Sequence, residues 1–250
     1  MSWLKGRRLV LLAVAILLAT LIGNLPAQLV WRQVQPHLPA DVELDGLTGT
    51  LWRGSVARMQ VEGIDQGALD WRWKPAGLLT AELELDLSWR PRDGQVDAVL
   101  RLGASAVSLE NVRGRLSAAS MAQVNKAPFV LQGDWLLDIP QLTLEHLREV
   151  TAASGRIAWQ DAAGGLPNPL ALGNLAADLG ADNGWLVMQL TDAGGPLGLS
   201  GSARWQPAKP LKLDTRLQAR ADAERDLAAG LQLLGRADPQ GWVRWRAQLQ

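Results

Sequence analysis

Residues 81–90 read Ala-Glu-Leu-Glu-Leu-Asp-Leu-Ser-Trp-Arg, and this stretch decides the fold class. Every second residue is apolar (Ala81, Leu83, Leu85, Leu87 and Trp89), and every residue between them is polar (Glu82, Glu84, Asp86, Ser88 and Arg90). Successive side chains of a β-strand point to opposite faces, whereas a helical period of about 3.6 residues would scatter the apolar ones around a cylinder. The stretch therefore predicts a half-buried strand with one apolar and one polar face.

The same alternation recurs at residues 95–102, 197–206, 211–218 and 243–249. Clusters of Gly and Pro separate the alternating runs, at 91–94, 164–169, 194–196 and 207–210. Strands that follow one another through short turns form an antiparallel meander. We therefore expect a mainly β protein with a curved, largely antiparallel sheet, half-barrel or groove-like, of about ten or more strands.

Helical patterns interrupt the strands and predict two short helical elements. The alternation disappears over residues 118–125, and residues 222–234 carry Leu227, Leu231 and Leu234 at helical spacing after acidic residues in the first turn. Residues 140–153 fit a strand that passes into a short helix.

The first thirty residues predict a membrane anchor. Lys5, Arg7 and Arg8 precede residues 9–30, which contain no charged side chain, and about 20 apolar residues suffice to span the hydrocarbon. The positive-inside rule places the basic end in the cytoplasm. A cleaved signal peptide is the alternative, but the uncharged run is long and no small-x-small cleavage site follows it. We expect a cytoplasmic tail at 1–8, a transmembrane anchor at 9–30 and a β domain at 31–250 outside the cytoplasm.

Residue composition argues against catalysis. The chain has no Cys and only two His, His37 and His146, which excludes thiolate chemistry and leaves too little for a His-based metal cluster or a catalytic triad. We therefore predict no enzyme activity, no catalytic residue and no metal or cofactor. Glu82, Glu84 and Asp86 are the candidates for acid–base chemistry, but their place on the polar face of one strand predicts solvated charges instead.

The charge distribution argues against nucleic acid as a partner. Three of the 25 basic side chains precede residue 32, so residues 32–250 keep 22 basic against 25 acidic side chains, a net charge of −3. No basic stripe occurs along the chain, and binding to a phosphate backbone needs one.

The spacing Gly-x-x-x-Trp occurs at Gly67/Trp71, Gly155/Trp159, Gly201/Trp205 and Gly241/Trp245. Within a strand this spacing puts both residues on one face, and we interpret the Gly as leaving room for an indole of a neighbouring strand and as easing local bending. The Trp side chains are expected to pack on the apolar face. Because only two short helices are available to cover that face, an open apolar groove is the alternative.

A segment near the start of the β domain resembles a known family. Residues 46–54, Gly-Leu-Thr-Gly-Thr-Leu-Trp-Arg-Gly, resemble the Gly-x-x-Gly-Thr-x-Trp-x-Gly signature of type II secretion system protein N. Further matches follow in order within residues 9–250, at 63, 67–71, 75–79, 155–159, 194–201 and 233–241. The motif residues interpreted as scaffold are Gly46, Gly49, Thr50, Leu51, Trp52, Gly54, Gly67, Trp71, Gly195 and Gly201.

The resemblance implies a single-pass protein of the bacterial inner membrane, with a cytoplasmic N-terminus and a periplasmic β domain. It implies a non-enzymatic role in the apparatus that exports folded proteins across the outer membrane. The implied partners are inner-membrane lipid and other inner-membrane components of that apparatus. The β domain is also similar in style to AsmA-like envelope proteins that handle lipid, so a groove that binds lipid or another apolar ligand is the alternative function.

Overall fold

The computed structural model describes residue 20 and residues 23–37, 42–120, 130–165 and 168–249. These residues are mainly β, as the alternation predicts, with fourteen strands and few helices among them. The chain divides into two compact units, Met1–Trp73 and Lys74–Gln250. No change in residue composition marks this division.

The first unit contains a helix, α1 (Ala27–Val34), followed by the 3₁₀ helix Gln35–His37. Its strands are β1 (Val42–Asp45), β2 (Thr48–Gly49), β3 (Arg53–Val61) and β4 (Ile64–Lys74). β3 lies between β1 and β4 and pairs antiparallel with both, while the short β2 pairs with the start of β3. Ala27, Leu47 and Val56 form the buried core of this unit.

The N-terminal predictions fall largely outside the described residues. Lys5, Arg7 and Arg8 lie there, as do residues 9–19 and 21–22 of the predicted anchor. In the part of the chain that the structure describes, no helix is both long and apolar enough to cross a membrane. α1 begins at Ala27 because Pro26, with φ −63° and ψ 132°, is extended. The anchor and its orientation stay predictions.

The second unit is an antiparallel meander. Its strands are β5 (Leu83–Arg90), β6 (Gly94–Leu102), β7 (Ala106–Ser117), β8 (Val130–Glu145), β9 (Glu149–Gly165), β10 (Leu170–Asp182), β11 (Trp185–Asp192), β12 (Leu197–Trp205), β13 (Leu211–Ala219) and β14 (Val243–Leu249). Each strand from β5 to β14 pairs antiparallel with the next. The meander predicted from the turn clusters is therefore confirmed.

The register places apolar side chains opposite apolar side chains. Leu85 pairs with Leu100, and Leu199 pairs with Leu217. Because paired residues of an antiparallel ladder point to the same face, this unit has one apolar face and one polar face. Its curvature, predicted as half-barrel or groove-like, stays a prediction.

The strand predicted for residues 81–90 begins two residues later than expected, at Leu83. The 3₁₀ helix Pro75–Thr80 precedes it, and the N–H of Glu82 donates to the carbonyl of Gly77 at 2.9 Å. Ala81 has a φ of +58°, which belongs to a left-handed turn and not to a strand. Ala81 and Glu82 therefore lie in the turn before the sheet.

One predicted helix is confirmed, and it is shorter than expected. α2 (Arg225–Leu234) ends where the pattern predicts and begins three residues later than residue 222. Leu227 and Leu231 are buried against Leu197, Leu217 and Val243, so α2 covers the apolar face of β12–β14. A second cluster of Val96, Val112, Leu116 and Ile139 lies on the same face around β6–β8.

The other two helical predictions have different outcomes. Residues 118–120 are helical, and residues 121–125 of that predicted helix lie outside the described residues. The short helix within 140–153 is wrong, because β8 continues to Glu145 and β9 begins at Glu149. His146 and Leu147 join them with φ of +51° and +54°, a left-handed conformation that reverses the chain too sharply for a helix.

Candidate functional site

The motif residues 46–54 converge on the tight turn between β2 and β3. Thr50 donates its N–H to the carbonyl of Arg53 at 2.8 Å, and its Oγ1 accepts the N–H of Arg53 at 3.2 Å. Gly49 enters this turn with a φ of +87°, which a side chain rarely adopts. The Gly-Thr pair is therefore required by the turn itself.

The indole of Trp71 closes the same turn. Its Nε1–H donates to the carbonyl of Leu51 at 3.0 Å. A Cβ added at Gly54 would overlap this indole and the carbonyl of Thr48. Gly54 therefore leaves the space that the Trp71 indole fills.

Trp52 packs against a neighbouring Trp at the edge of this turn. The ring centroids of Trp52 and Trp73 lie 4.8 Å apart with planes inclined by 49°, and the N–H of Trp73 donates to the carbonyl of Trp52 at 2.6 Å. Trp52 is half-buried, whereas Leu51 beside it is 37% exposed. The turn thus packs the indole of Trp52 against Trp73 and leaves the side chain of Leu51 exposed on the surface.

The structure brings most, but not all, of the predicted scaffold residues together. Gly46 has a φ of +66° on the approach to the turn, and Gly67 has a φ of +84° at a shift in the β3–β4 register. Gly195 and Gly201 belong to the second unit. Gly195 lies against Gly173, where an added Cβ would be 2.5 Å from the Gly173 Cα.

The indole explanation for Gly-x-x-x-Trp is wrong for Gly155, Gly201 and Gly241. Added Cβ atoms at Gly155 and Gly201 would collide with the backbone of the neighbouring strand, not with an indole. Gly241 precedes β14, in a turn with a φ of +86°. These glycines permit close backbone approach or a turn.

An ion pair that the sequence did not predict braces the turn at Gly194 and Gly195. Arg220 donates to Asp192 Oδ1 and to the carbonyl of Gly195, the second at 3.0 Å. The N–H groups of Leu199 and Gly194 also donate to Asp192, at 3.0 and 3.3 Å. Burial raises the pKa of Asp192, but the hydrogen bonds from Leu199, Arg220 and Gly194 outweigh it, so the pKa lies below its usual value.

An apolar cleft lies on the apolar face of the second unit. It has a volume of about 140 Å³ and is lined by Trp135, Ile157, Trp159, Leu175, Ala176, Ala177, Leu190 and Leu199. Trp135 and Trp159 stack with centroids 4.8 Å apart and planes inclined by 15°. The Nε1–H of Trp159 donates to the carbonyl of Gln132 at 2.9 Å, whereas the buried Nε1 of Trp135 has no partner.

Ion pairs cross between neighbouring strands on the polar face. They join Arg113 to Asp138, Arg115 to Asp134 and Arg156 to Asp178. A further pair joins Arg204 of β12 to Asp182 of β10, across the end of β11. The prediction that Glu84 is a solvated charge is wrong. Its side chain is only 14% exposed, and its Oε2 lies 3.5 Å from Arg101 Nε. Within the described ranges, no group of three or more His, Cys, Asp or Glu side chains is placed to hold a metal ion.

Each unit is built from antiparallel strands; the first has a Gly-dependent turn packed by Trp side chains, and the second has one apolar sheet face. The chain belongs to the type II secretion system protein N family, whose model matches residues 40–246. This match confirms the resemblance drawn from the motif residues.

Three relatives carry the description "Type II secretion system protein N". Those of Aeromonas hydrophila and Klebsiella pneumoniae are 26% and 27% identical over 236 and 250 residues, which cover 92% and 95% of this chain and 93% of each relative. The relative from Vibrio cholerae is 35% identical over 77 residues, which are 31% of this chain and 30% of the relative. No solved structure matches the chain significantly.

Proposed function

We propose that this component of the type II secretion system is a non-enzymatic, inner-membrane-anchored scaffold that supports the export of folded proteins across the outer membrane. The match to the protein N family over residues 40–246 carries the proposal. Residues 9–30 hold the chain in the inner membrane with residues 1–8 in the cytoplasm, and the β domain lies in the periplasm and contacts other inner-membrane components.

The arrangement of the motif residues supports a scaffold role. Gly49 and Gly54 permit a tight turn, and Trp71 and Trp52 fill the space around it. These are packing roles, and none of them supplies a proton donor, a nucleophile or a metal ligand. Leu51, which the turn leaves 37% exposed, is the motif side chain best placed for a contact with another component.

Complementation tests the secretion role. A strain that lacks this chain is expected to retain a folded exoenzyme in the periplasm, and the full chain is expected to restore the enzyme to the medium. A version in which residues 1–23 are replaced by a cleavable signal peptide keeps α1 and the buried Ala27, so it is expected to fold but not to restore secretion. Normal secretion in the deletion strain would contradict the role, and full restoration by the unanchored version would contradict the need for the anchor.

A second candidate function is the binding of lipid or another apolar ligand on the apolar sheet face. The cleft beside the Trp135–Trp159 stack favours it, because the surface that lines the cleft is apolar. Apolar pockets with few polar groups are typical of sites for apolar ligands.

Photo-crosslinking in cells separates the two candidates. A photoreactive residue at Ala177, which lines the cleft, is expected to capture lipid. The same residue at Ser154 serves as the control, because Ser154 is exposed on β9 and is in register with Gln141 and Gly180, neither of which lines the cleft. Equal lipid capture at both positions, or none at Ala177, would exclude the cleft as a lipid site.

A further inference from the structure

The last three strands of the second unit gather basic side chains on one face. Arg204 pairs with Lys212, Arg216 pairs with Arg244, and Asp214 pairs with Arg246. Since paired residues point to the same face and residues two apart in a strand do as well, these side chains all share the polar face. Lys209, in the turn between β12 and β13, joins them through its contact with the Trp185 ring. We call the basic side chains of this group the basic face: Arg204, Lys209, Lys212, Arg216, Arg244 and Arg246.

Two indoles border the basic face. The Nζ atoms of Lys209 and Lys212 lie 4.8 and 5.2 Å from the ring centroid of Trp185, and the guanidinium of Arg204 lies 6.0 Å from it. At the other end, the guanidinium of Arg216 lies 5.8 Å from the ring of Trp242. Cation–π contacts hold the cations in place without neutralising their charge.

Carboxylates compensate only part of this charge. Asp182 pairs with Arg204 at 2.6 Å, and Asp214 accepts from both Arg244 and Arg246, at 2.7 and 3.1 Å. No carboxylate in the described part of the chain lies within ion-pair distance of Lys209, Lys212 or Arg216. Six basic and two acidic side chains leave a net charge of +4 on the basic face, in a chain whose net charge is zero.

The basic face ends at an edge of the sheet. Among the described residues β14 pairs with β13 on one side, and its other side has only a single bridge between Val243 and Ala237. Arg244 and Arg246 are 59% and 64% exposed. Trp245 and Ala247 are half-buried on the opposite face, followed by Leu249, which is 47% exposed.

We propose that the free edge of β14 binds an extended acidic segment of a partner protein, which adds to the sheet as one more antiparallel strand. Residues two apart in a strand lie on one face about 7 Å from each other, and this spacing is the same in the neighbouring strand. Acidic side chains at alternating positions of the added strand would therefore lie opposite Arg244 and Arg246. The apolar side chains between them continue the apolar face beside Trp245. Main-chain hydrogen bonds supply affinity, and the charge pattern supplies specificity.

Charge on an edge strand also serves to prevent unwanted pairing. Arg244 and Arg246 do this selectively. They repel the β14 edge of a second copy, because like charges on opposed strands are destabilising, and they attract an acidic strand. A nucleic acid or an anionic lipid headgroup would also complement the positive charge of the basic face. Neither would pair as a strand with the free N–H and C=O groups of the β14 edge.

Binding to the purified full chain in detergent tests the proposal independently of secretion. The probe is the labelled peptide Val-Glu-Val-Glu-Val-Glu-Val, which has the seven-residue length of β14. The first control, Val-Val-Glu-Glu-Glu-Val-Val, has the same composition without the alternation, and the second carries N-methyl groups on alternate amides. We expect both controls to bind about tenfold more weakly than the probe, because each loses either the charge register or the main-chain hydrogen bonds.

Two double variants locate the site. Arg244→Gln/Arg246→Gln is expected to weaken probe binding about tenfold by removing the paired charges. Arg113→Gln/Arg115→Gln removes the same charge from β7, inside the sheet, and is expected to leave binding unchanged. Thermal unfolding of each variant shows whether it is folded. If Arg244→Gln/Arg246→Gln does not fold, the binding of the three peptides to the unmodified chain still tests whether the β14 edge is the site.

Three results would overturn the proposal. Equal binding of the probe and both control peptides would show a general anion surface. Displacement of the probe by oligodeoxythymidylate or glycerol phosphate as effectively as by unlabelled peptide would favour a phosphate ligand. Self-association of the chain that disappears in Arg244→Gln/Arg246→Gln would make a second copy the occupant.

Discussion

Gly54 and Trp71 show how one missing side chain positions another. The Trp71 indole occupies the place that a Cβ at Gly54 would need, and its N–H reaches the carbonyl of Leu51 at 3.0 Å. Gly54→Ala is therefore expected to lower the free energy of unfolding by about 2 kcal/mol, because overpacking displaces the ring. Urea unfolding of the full chain measures this loss.

Gly180→Ala is the matched control for Gly54→Ala. Gly180 lies within β10, and an added Cβ there has nothing within 4 Å. We expect a change of less than about 0.5 kcal/mol at this surface position. Equal losses in the two variants would show that backbone conformation, and not the Trp71 indole, makes Gly54 necessary.

Substitution of Trp52 distinguishes a role in packing from a role in binding a partner. If Trp52 is scaffold, Trp52→Ala loses its contact with Trp73 and is expected to cost about 2 kcal/mol, since the indole is only half-buried. Protein abundance then falls, and secretion falls only as far as abundance does. Immunoblots, melting curves and exoenzyme release are measured together.

Leu51→Ala is the companion variant for Trp52→Ala. Leu51 is exposed beside Trp52, so its truncation is expected to leave the melting temperature unchanged. A Trp52→Ala chain with normal abundance and melting temperature but lost secretion would contradict the scaffold role and place Trp52 in an interface with a partner.

Asp192 links the stability of the second unit to pH. Hydrogen bonds from Leu199, Arg220 and Gly194 hold its pKa below the usual value despite burial. A depressed pKa contributes stability that is fully present above the unfolded-state pKa of about 3.9 and is lost as pH falls through the folded-state pKa. Asp192→Asn is therefore expected to destabilise the chain at pH 7. Below about pH 4, the unfolding free energy of this variant should fall less with decreasing pH than that of the unmodified chain.

Asp45→Asn controls for the change in net charge. Asp45 is exposed in β1, so its replacement is expected to change the stability at pH 7 by less than about 0.5 kcal/mol. Urea titrations at several pH values between neutral and acidic measure both variants. If Asp192→Asn and the unmodified chain lose stability in parallel as pH falls, the contribution assigned to Asp192 is wrong.

At the scale of elements, α2 covers part of the apolar sheet face. Leu227 and Leu231 are 6% and 7% exposed, whereas Leu233 on the other side of the helix is 89% exposed. Leu231→Ala is expected to cost about 3 kcal/mol in unfolding free energy, because truncation leaves a cavity against Leu197, Leu217 and Val243. Leu233→Ala is expected to change it by less than about 0.5 kcal/mol.

Urea unfolding monitored by Trp fluorescence measures both α2 variants. A large loss in Leu231→Ala with none in Leu233→Ala identifies the buried stripe as the source of stability. Equal losses would contradict this assignment, because Ala has a higher helix propensity than Leu and the exposed Leu233 has no cavity to leave.

At the scale of the whole molecule, the N-terminal segment decides where the β domain resides. The basic cluster Lys5, Arg7 and Arg8 precedes the uncharged run at 9–30, so we expect a cytoplasmic N-terminus and an uncleaved anchor. N-terminal sequencing of the mature protein checks this expectation. A mature protein beginning between Ala27 and Ala40 would identify residues 9–30 as part of a cleaved signal peptide.

Features that depend on near neighbours in the sequence were predictable from it. The alternation at 83–90 and the spacing of Leu227 and Leu231 fix which side chains share a face, because side-chain direction repeats every two residues in a strand and about every 3.6 in a helix. The ends of these elements were less predictable. The hydrogen bond from Glu82 to Gly77 moves the start of β5, and the left-handed conformations of His146 and Leu147 replace a predicted helix.

The sequence by itself determined the strands, their two faces, the meander and the resemblance to the secretion family, because each depends on local alternation or on motif order. Only the tertiary structure decided which distant residues meet. Arg220 reaches Asp192 across 28 positions. The basic face assembles charges that are dispersed along the chain, from β12, β13, β14 and the turn between β12 and β13. Strand register sets these encounters, and register depends on the packing of the whole sheet, which no single segment encodes.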